Sequence, residues 1–319
     1  MHTYLLRRAL LSIPTLIGVT VLIFVAMRVI PGDPIAMITS ESGLNYALSD
    51  EEINAVRHSL GLDKPYYEQY LAWMGDVLKG DLGYSFWRQE PIRDQILRRA
   101  PITIEIAALA IGLSWIIGLP VGILSAVNRN RMPDYLSRVL VIFFVAIPSF
   151  WLALLIVLAG VLMFNWRPSL TIVYFWEDPA RNLEMVLGPA IVLGLGVAAL
   201  TARMTRSATL EILHEDFVRT ARAKGLRERL VVVRHVLRNA LLPVITISGL
   251  AFGALLGGSV AVERAFGVPG LGTLLVMAFG ERDWMMIQNL VLIYGVVFTI
   301  INLLIDLTYG LLDPRIGYS

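Results

Sequence analysis

The sequence predicts an all-α integral membrane protein with about six transmembrane helices. The chain of 319 residues is 56% hydrophobic and only 16% charged, which is more apolar surface than one soluble core requires. Uncharged, mostly apolar stretches recur along it, and each is close to the roughly 20 residues with which a helix spans a bilayer. They lie at residues 9–27, 106–128, 139–166, 185–202, 239–262 and 284–305. A soluble bundle of buried helices is disfavoured because arginine clusters separate these stretches.

The first apolar stretch follows Arg7 and Arg8, as the core of a secretory signal would. Its apolar part is longer than the roughly 7–15 residues of a signal core, and no small-x-small cleavage site precedes the turn at Pro31-Gly32-Asp33-Pro34. We therefore expect this stretch to be retained as the first span.

The distribution of Lys and Arg predicts the orientation. With the N-terminus inside, fifteen of these residues fall in cytoplasmic segments, nine of them between residues 203 and 238. The two short outside loops, 164–185 and 263–283, carry four arginines. The remaining eight basic residues lie between residues 28 and 99, in a loop long enough to escape the positive-inside rule. Both termini are therefore expected in the cytoplasm.

Residues 31–100 form a polar outside segment with the signals of two helices. Ser49 and Glu52 form a capping box for a helix that Gly61 ends, and Pro65 opens a second helix that ends before Gly80. The apolar side of the second helix is predicted from Tyr66, Tyr67, Tyr70, Leu71 and Met74. This segment is either a cap packed on the bundle or a surface that docks a soluble partner.

Three glycines recur at every fourth position of the fifth span. Gly249, Gly253 and Gly257 are expected to be helix-packing residues, because this spacing lets a second helix approach backbone to backbone where lipid supplies no hydrophobic drive. The fifth span is therefore expected at the centre of the bundle.

The chain lacks the usual constellations of an enzyme site. It has no cysteine, its four histidines are scattered, and no His-Glu-x-x-His occurs. His214 with Glu215 and Asp216 would make a weak metal site, but solvated residues of a basic loop are the simpler interpretation. We assign no catalytic residue and no metal site. The lysines, Lys64, Lys79 and Lys224, never follow a glycine, so the chain contains no Walker A loop and any ATP must be bound by a partner.

The loop at residues 203–238 holds nine basic and four acidic residues. Within it, Glu215 and Asp216 precede Arg219, Arg222 and Lys224, and Gly225 closes the run. Acids at the start, bases at the end and a final glycine predict one short helix with a complemented macrodipole. A second helical pattern follows at 226–239. The short helix is either a mechanical lever between two spans or part of a solvated basic loop near anionic lipid.

The segment Thr220-Ala221-Arg222-Ala223-Lys224-Gly225, with Arg238-Asn239-Ala240-Leu241-Leu242-Pro243 after it, resembles the cytoplasmic loop of ABC-importer permeases of the dipeptide, oligopeptide and nickel family. The general pattern in such importers is Glu-Ala-Ala-x-x-x-Gly. Here Arg219 and Thr220 replace the Glu and the first Ala, and the Leu-Pro lies five residues later, as in the longer variant of the peptide and nickel branch. Five further segments also resemble that family's first permease subunit. They are Arg28-Val29-Ile30-Pro31-Gly32-Asp33-Pro34, Leu60-Gly61-Leu62-Asp63-Lys64-Pro65, Gly80-Asp81-Leu82-Gly83-Tyr84-Ser85, Pro269-Gly270-Leu271-Gly272 and Leu311-Leu312-Asp313-Pro314-Arg315.

This resemblance implies a type I ABC importer permease fold and a coupling helix around residues 214–224 that sits in a cleft of the ATPase. Phe217 would be an apolar plug, Gly225 would let the chain turn away, and basic side chains would meet acidic or polar groups of the partner. The coupling residues implied in this way are Asp216, Phe217, Arg219, Ala221, Arg222, Ala223, Lys224 and Gly225.

The resemblance also implies the complex in which such a chain works. Its partners would be a second homologous permease subunit, two cytoplasmic ATP-binding subunits, an extracytoplasmic solute-binding protein and the lipid bilayer of a bacterial or archaeal cytoplasmic membrane, with no nucleic acid. ATP and Mg would be bound by those partners, and this chain would hold no cofactor. It would form half of a pathway for dipeptides, oligopeptides or a related small solute, with its lining residues unassigned.

The expected organisation has four parts. Residues 1–30 hold the N-terminus and first span, 31–97 the extracytoplasmic helical segment, 98–310 the permease domain with its coupling loop at 203–239, and 311–319 the cytoplasmic tail. Two other functions stay open from the residues alone. An ATP-independent carrier or channel would more plausibly show charges within spans or internal repeats, and a membrane-embedded enzyme would show a nucleophile or metal cluster.

Overall fold

The computed structural model describes residues 2–29, 54, 58, 61–166 and 171–312. In this part of the chain the secondary structure is helical, apart from an isolated antiparallel bridge between Tyr84 and Pro91. The predicted all-α class is confirmed. The turn at Pro31-Gly32-Asp33-Pro34, the capping box of Ser49 and Glu52, and residues 313–319 of the predicted tail lie outside the described residues.

Eleven main helices follow one another in the described residues. They are α1 (His2–Val29), α2 (Tyr66–Leu78), α3 (Ile92–Val127), α4 (Met132–Ala146), α5 (Ser149–Phe164), α6 (Pro179–Ile212), α7 (Asp216–Ala223), α8 (Leu237–Gly258), α9 (Val260–Phe266), α10 (Leu271–Gly280) and α11 (Trp284–Leu312). A helical turn at Glu228–Leu230 and a π-helical stretch at Val231–Val236 lead directly into α8.

Five segments are long and apolar enough to cross a membrane by length and composition. They are Leu10–Val29, Ile92–Val127, Pro179–Ile212, Glu228–Gly258 and Trp284–Thr308. Two helix pairs, α4 with α5 and α9 with α10, pass the same test only together and with a bend, which raises the total to as many as 7. The prediction of about six spans lies within this range.

The apolar stretch at residues 139–166, predicted as one span, is strongly bent in the structure. α4 and α5 form two helices that meet at a bend of 94°. The cause is Pro148, which lacks an N–H and disfavours helical geometry at the residue before it. Ile147 accordingly adopts extended angles, with φ −75° and ψ 124°, and Pro148 becomes the residue that precedes the new helix.

The chain divides into two compact units. The first contains Met1–Arg7, Pro101–Thr273 and Val297–Ser319. Its centre is α6. In the apolar 18-residue segment of that helix, 67% of the residues are buried, against 28% in the corresponding segment of Glu228–Gly258. The expectation of a central fifth span is therefore wrong, and the fourth span takes that place.

Two glycines of α3 explain how closely α6 is packed. A Cβ on Gly118 would lie 2.8 Å from the carbonyl oxygen of Ala198, and a Cβ on Gly122 would lie 2.6 Å from that of Ala202. These distances are too short for any side chain. The backbone-to-backbone approach that the glycines of α8 were expected to provide is thus made by Gly118 and Gly122 of α3.

The glycines of α8 face side chains of α11 within the same unit. A Cβ on Gly249 would collide with Ile305, and one on Gly253 would lie 2.6 Å from the Phe298 ring. A Cβ on Gly257 would meet nothing within 4 Å. Two of the three glycines therefore make room for large side chains, and Gly257 makes no such approach in the described chain.

The second unit contains Arg8–Ala100 and Leu274–Val296. α2 starts directly after Pro65, and Gly80 follows its end with φ +82°, as predicted. The predicted apolar side is only partly right, because the buried side chain of α2 is Trp73, while Tyr66 and Leu71 are largely exposed. The ring of Trp73 stacks on Phe24 of α1 at 6.2 Å, and its Nε1–H donates to Asn289 Oδ1 at 3.4 Å.

Candidate functional site

α7 is the short helix that the charge pattern predicts. It begins after Glu215, which has extended angles of φ −68° and ψ 147°, and it runs over Asp216–Ala223. Asp216 lies in its first turn and Arg222 in its last turn. Each charge faces the helix end of opposite partial charge, which stabilises a helix of only two turns.

The end of α7 is fixed by two backbone hydrogen bonds around Gly225. The N–H of Gly225 donates to the Arg222 carbonyl at 2.9 Å, and the N–H of Leu226 donates to the Ala221 carbonyl at 3.4 Å. This pairing is a Schellman motif, which requires a left-handed residue at its turn. Gly225 supplies it with φ +77°. The direction in which the chain leaves α7 is therefore defined by one glycine.

The inner face of α7 is packed against the segment that follows it. Val218 and Ala221 are buried in a small core with Val231 and Val236. Three partly buried side chains close this core, namely Ile212, Leu213 and Leu226. Residues at i and i+3 of a helix share one face, so two small apolar side chains are enough to seat α7. The helix is thereby joined both to the end of α6 and to the π-helical stretch.

The outer face of α7 is exposed and carries an aromatic ring. Phe217 is 44% exposed on a helix whose other outward side chains are polar or small. Asp216 and Arg219 form an ion pair at 3.5 Å, but their side chains are 96% and 70% exposed, so this pair contributes little. Ala223, Lys224 and Gly225 are also exposed, whereas Ala221 lies on the buried face.

Arg222 has a partner within the chain. Its Nε–H and Nη2–H donate to the two carboxylate oxygens of Glu228 at 3.1 Å and 2.6 Å. These hydrogen bonds to Glu228 raise the pKa of the Arg222 guanidinium. The pair closes the turn around Gly225, and the fork geometry of arginine suits two parallel bonds. The sequence offered a signal for it, since Glu228 lies six residues beyond Arg222 across the closing glycine.

The link between α7 and α8 contains a π-helical stretch at Val231–Val236. Val231, Val232 and Val236 are buried there. π-Helical geometry is rare and occurs often at functional sites. The run of valines predicts only a helix, so the sequence did not reveal the change in hydrogen-bond register.

A buried carboxylate joins α3, α4 and α6. Asp134 accepts hydrogen bonds from Ser125 Oγ at 2.6 Å, from the Asn130 N–H at 2.9 Å and from Arg206 Nε at 2.8 Å. Arg138 forms a second ion pair with it. Asp134 is fully buried, and such a charge is stable only when it is paired and hydrogen-bonded. Sequence reasoning missed this cluster because Arg206 lies far along the chain from Asp134.

A second buried carboxylate, Glu263 of α9, is held by neutral donors. It accepts from Thr103 Oγ1 at 2.9 Å, Ser259 Oγ at 2.8 Å and the Thr273 N–H at 3.1 Å. A Cβ on Gly272 would lie 2.9 Å from Glu263 Oε2. The motif Pro269-Gly270-Leu271-Gly272 therefore brings its backbone directly against this carboxylate.

The described residues contain no group of three His, Cys, Asp or Glu side chains that could hold a metal ion. His214, considered as a metal ligand with its acidic neighbours, instead lies with Nδ1 2.7 Å from the Leu210 carbonyl oxygen. What the arrangement offers is mechanical. An exposed helix is fixed by a glycine turn, an ion pair and an apolar core to two membrane-spanning segments.

Two protein-family models match the chain. Residues 118–318 match the family described as "Binding-protein-dependent transport system inner membrane component". Residues 1–107 match the N-terminal membrane-component model of the same transport systems. The first match alone covers more than half of the chain.

Curated relatives match over the full length. The chain is 41% identical to a putative peptide permease protein of Brucella ovis, over 99% of both chains. It is 38% identical to the glutathione transport system permease protein GsiC of Escherichia coli, over 100% of both chains.

Solved structures of similar fold come from ABC transporters. The inward-facing MetNI methionine transporter matches with a TM-score of 0.57 at 21% identity, over 70% of this chain and 99% of the other. An amino acid ABC transporter matches with a TM-score of 0.53 at 15% identity, over 68% and 94%. These likenesses concern the fold, and they agree with the type I permease fold that the resemblance implied. The chain belongs to the binding-protein-dependent transport system inner membrane components, the permeases of ABC importers.

Proposed function

We propose that this chain is one of two permease subunits in an ATP-driven importer of peptides or related small solutes. The observation that carries the proposal is the construction of α7. Its inner face is fixed by Val218 and Ala221, and its outer face presents Phe217 to the surroundings. An aromatic side chain on a rigid, exposed helix is suited to a pocket of a partner protein, because aromatic anchors supply much of the energy of an interface.

The partner proposed for α7 is an ATPase subunit. This chain has no Gly-Lys-Ser/Thr segment, so ATP and Mg²⁺ are assigned to two cytoplasmic ATP-binding subunits. Closure of the ATPase pair on ATP would displace α7, and α7 would move the ends of α6 and α8. A helix seated in this way transmits displacement to the spans, which then alternate between inward-open and outward-open states.

The proposed complex is completed by a second homologous permease and an extracytoplasmic solute-binding protein. The support for an outer docking surface is α2, where Tyr66, Tyr67 and Leu71 are largely exposed. Exposed apolar side chains that lie close together are typical of protein-binding surfaces. Peptides are proposed as the solute because relatives of full length are described as peptide and glutathione permeases of bacteria. The bacterial cytoplasmic membrane is the proposed location.

The absence of cysteine from the sequence gives a direct test of the α7 contact. A Phe217→Cys chain carries a single thiol in this subunit. Thiol labelling at position 217 should slow when the ATPase subunits are bound, and a short bifunctional thiol reagent should join it to a cysteine placed in the ATPase. Arg131→Cys, at the exposed residue before α4, is the matched control and should label at the same rate with and without the ATPase.

The complex in proteoliposomes should then take up peptides only with ATP. Equal labelling at position 217 in both states, or uptake by this chain without ATP and without partners, would contradict the proposed importer and favour a carrier.

A further inference from the structure

A groove lies between α3, α4 and α6, beside the Asp134 cluster. Its wider part is a cavity of about 340 Å³. Both polar and apolar side chains line it. Its lining residues include Val121, Arg138, Val141, Arg203, Arg206 and Ser207.

The polar side chains of the groove carry an excess of positive charge. Arg138, Arg203 and Arg206 line it, and the carboxylate beside them is Asp134, which pairs with Arg138 and Arg206. Three guanidinium groups and one carboxylate leave an excess of two positive charges. Arg203 makes no hydrogen bond or ion pair with another described residue, and its side chain is exposed. The groove therefore has guanidinium donors available for an anion.

The apolar lining of the groove continues along the same three helices. A smaller cavity of about 70 Å³ adjoins it and shares Val121, Val141 and Ala202 with it. This second cavity is lined by apolar side chains and one glycine. The ligand that matches both parts has an anionic head and a hydrocarbon tail.

The surface around the groove is suited to lipid. Along α4, large apolar side chains point outward, among them Leu136, Val139, Ile142 and Phe143. A groove that opens beside such a surface is reached from the bilayer without crossing water. The basic residues of the groove lie on the predicted cytoplasmic side, where the membrane leaflet is rich in anionic lipid.

We infer that this groove binds one anionic phospholipid. The phosphate lies among Arg138, Arg203 and Arg206, with Ser207 as a further donor. The first methylene groups of an acyl chain pass Val141 and Val121 into the smaller cavity. A soluble phosphate would use the arginines but would leave the apolar walls empty. A neutral lipid would fill the walls but leave the excess charge unmatched.

A lipid bound in this groove would act on α7 through α6. Arg203 and Arg206 belong to α6, and the end of α6 at Ile212 packs on the core of α7. A phosphate held by these arginines therefore bridges α6 to α4 through Arg138, and it adds to the Asp134 cluster in fixing the end of α6. This consequence for transport rests on the proposed function, whereas binding of the lipid does not.

Binding is tested on the purified chain by native mass spectrometry and by competition between lipids. The chain in detergent with phosphatidylglycerol should retain about one lipid, with a clear preference over phosphatidylcholine. Arg203→Gln should weaken that retention about fivefold, the loss expected for one basic residue at an anionic surface. Arg234→Gln removes an equal charge from an exposed position away from the groove and should leave retention unchanged.

A second variant tests the apolar part. Val141→Phe fills the wall shared by the two cavities and should lower lipid retention while every arginine stays in place. Glycerol phosphate should not compete with the lipid at equal concentration. The inference is overturned if Arg203→Gln and Arg234→Gln behave alike, if phosphatidylcholine binds as well as phosphatidylglycerol, or if glycerol phosphate displaces the lipid. If a second permease filled the groove instead, a cysteine at position 141 would be protected from thiol labelling in the complex, and no lipid would be retained.

Discussion

Gly225 forms the turn that follows α7. Its φ of +77° lies in the left-handed region, where a residue with a Cβ is strained. Yet a Cβ there would meet nothing within 4 Å. Glycine is therefore required for its backbone conformation and not for lack of space. How well a substituted residue tolerates left-handed angles should matter more than the volume of its side chain.

Gly225→Val should uncouple the transporter. A β-branched residue resists left-handed angles by about 1–2 kcal/mol, which weakens the Schellman turn and changes the direction in which the chain leaves α7. Membrane insertion should be normal, while ATP-dependent uptake by the assembled complex in vesicles should fall severalfold. Gly225→Asn is the matched variant, because asparagine tolerates left-handed angles, and it should retain most of the uptake. Equal loss in both variants would mean that the conformation of the turn is not what coupling requires.

Glu263 should stabilise the folded protein because it accepts hydrogen bonds from several buried donors. Glu263→Ala leaves Thr103, Ser259 and the Thr273 N–H without their buried acceptor, and an unsatisfied buried donor costs about 1–3 kcal/mol. We expect a clearly lower thermal unfolding midpoint in detergent. Glu211→Ala removes an exposed carboxylate of α6 and should leave the midpoint nearly unchanged. A similar midpoint for both variants would show that water replaces the lost carboxylate.

At the scale of elements, the sequence predicted helix ends that are set by neighbouring residues. The charges around α7 and the closing Gly225 predicted that helix to within a few residues, because capping and the macrodipole act within one turn. Pro148 alone predicts a kink in the apolar stretch around it, and the structure has a bend of 94° there. The buried side of α2 could not be predicted from its own sequence, because the burial of Trp73 depends on its contact with Phe24 of α1.

The packing of α3 on α6 gives a prediction with a control on the same helix. Gly122→Ala places a methyl group 2.6 Å from the Ala202 carbonyl oxygen and from Thr205 Cβ, and overpacking of this kind costs about 1–3 kcal/mol. Gly112→Ala lies on α3 with nothing within 4 Å, and alanine there should be neutral or slightly stabilising. Unfolding in detergent should separate the two variants. If Gly112→Ala destabilised as much as Gly122→Ala, close packing on α6 would not be the cause.

For the whole molecule, the sequence predicted the membrane fold, but it did not predict contacts between residues far apart in the chain. Six apolar stretches were enough for a membrane fold, because the bilayer sets the length of each span. The clusters around Asp134 and Glu263 were not predictable, since Arg206 and Thr103 reach them from distant positions in the chain. Among the residues that the resemblance assigned to coupling, Phe217 is exposed and Gly225 forms the turn after α7. Ala221 packs inward, and Arg222 pairs with Glu228.

The orientation of the chain remains a prediction from its arginines, and single cysteines test it. The positive-inside rule places Arg131, before α4, in the cytoplasm and Glu68, on α2, outside. Both side chains are exposed. In intact cells, a membrane-impermeant maleimide should label Glu68→Cys at once and Arg131→Cys only after permeabilisation, while the cysteine-free parent chain should give no signal. The opposite pattern would reverse the orientation, and α7 would then face away from the compartment that contains ATP.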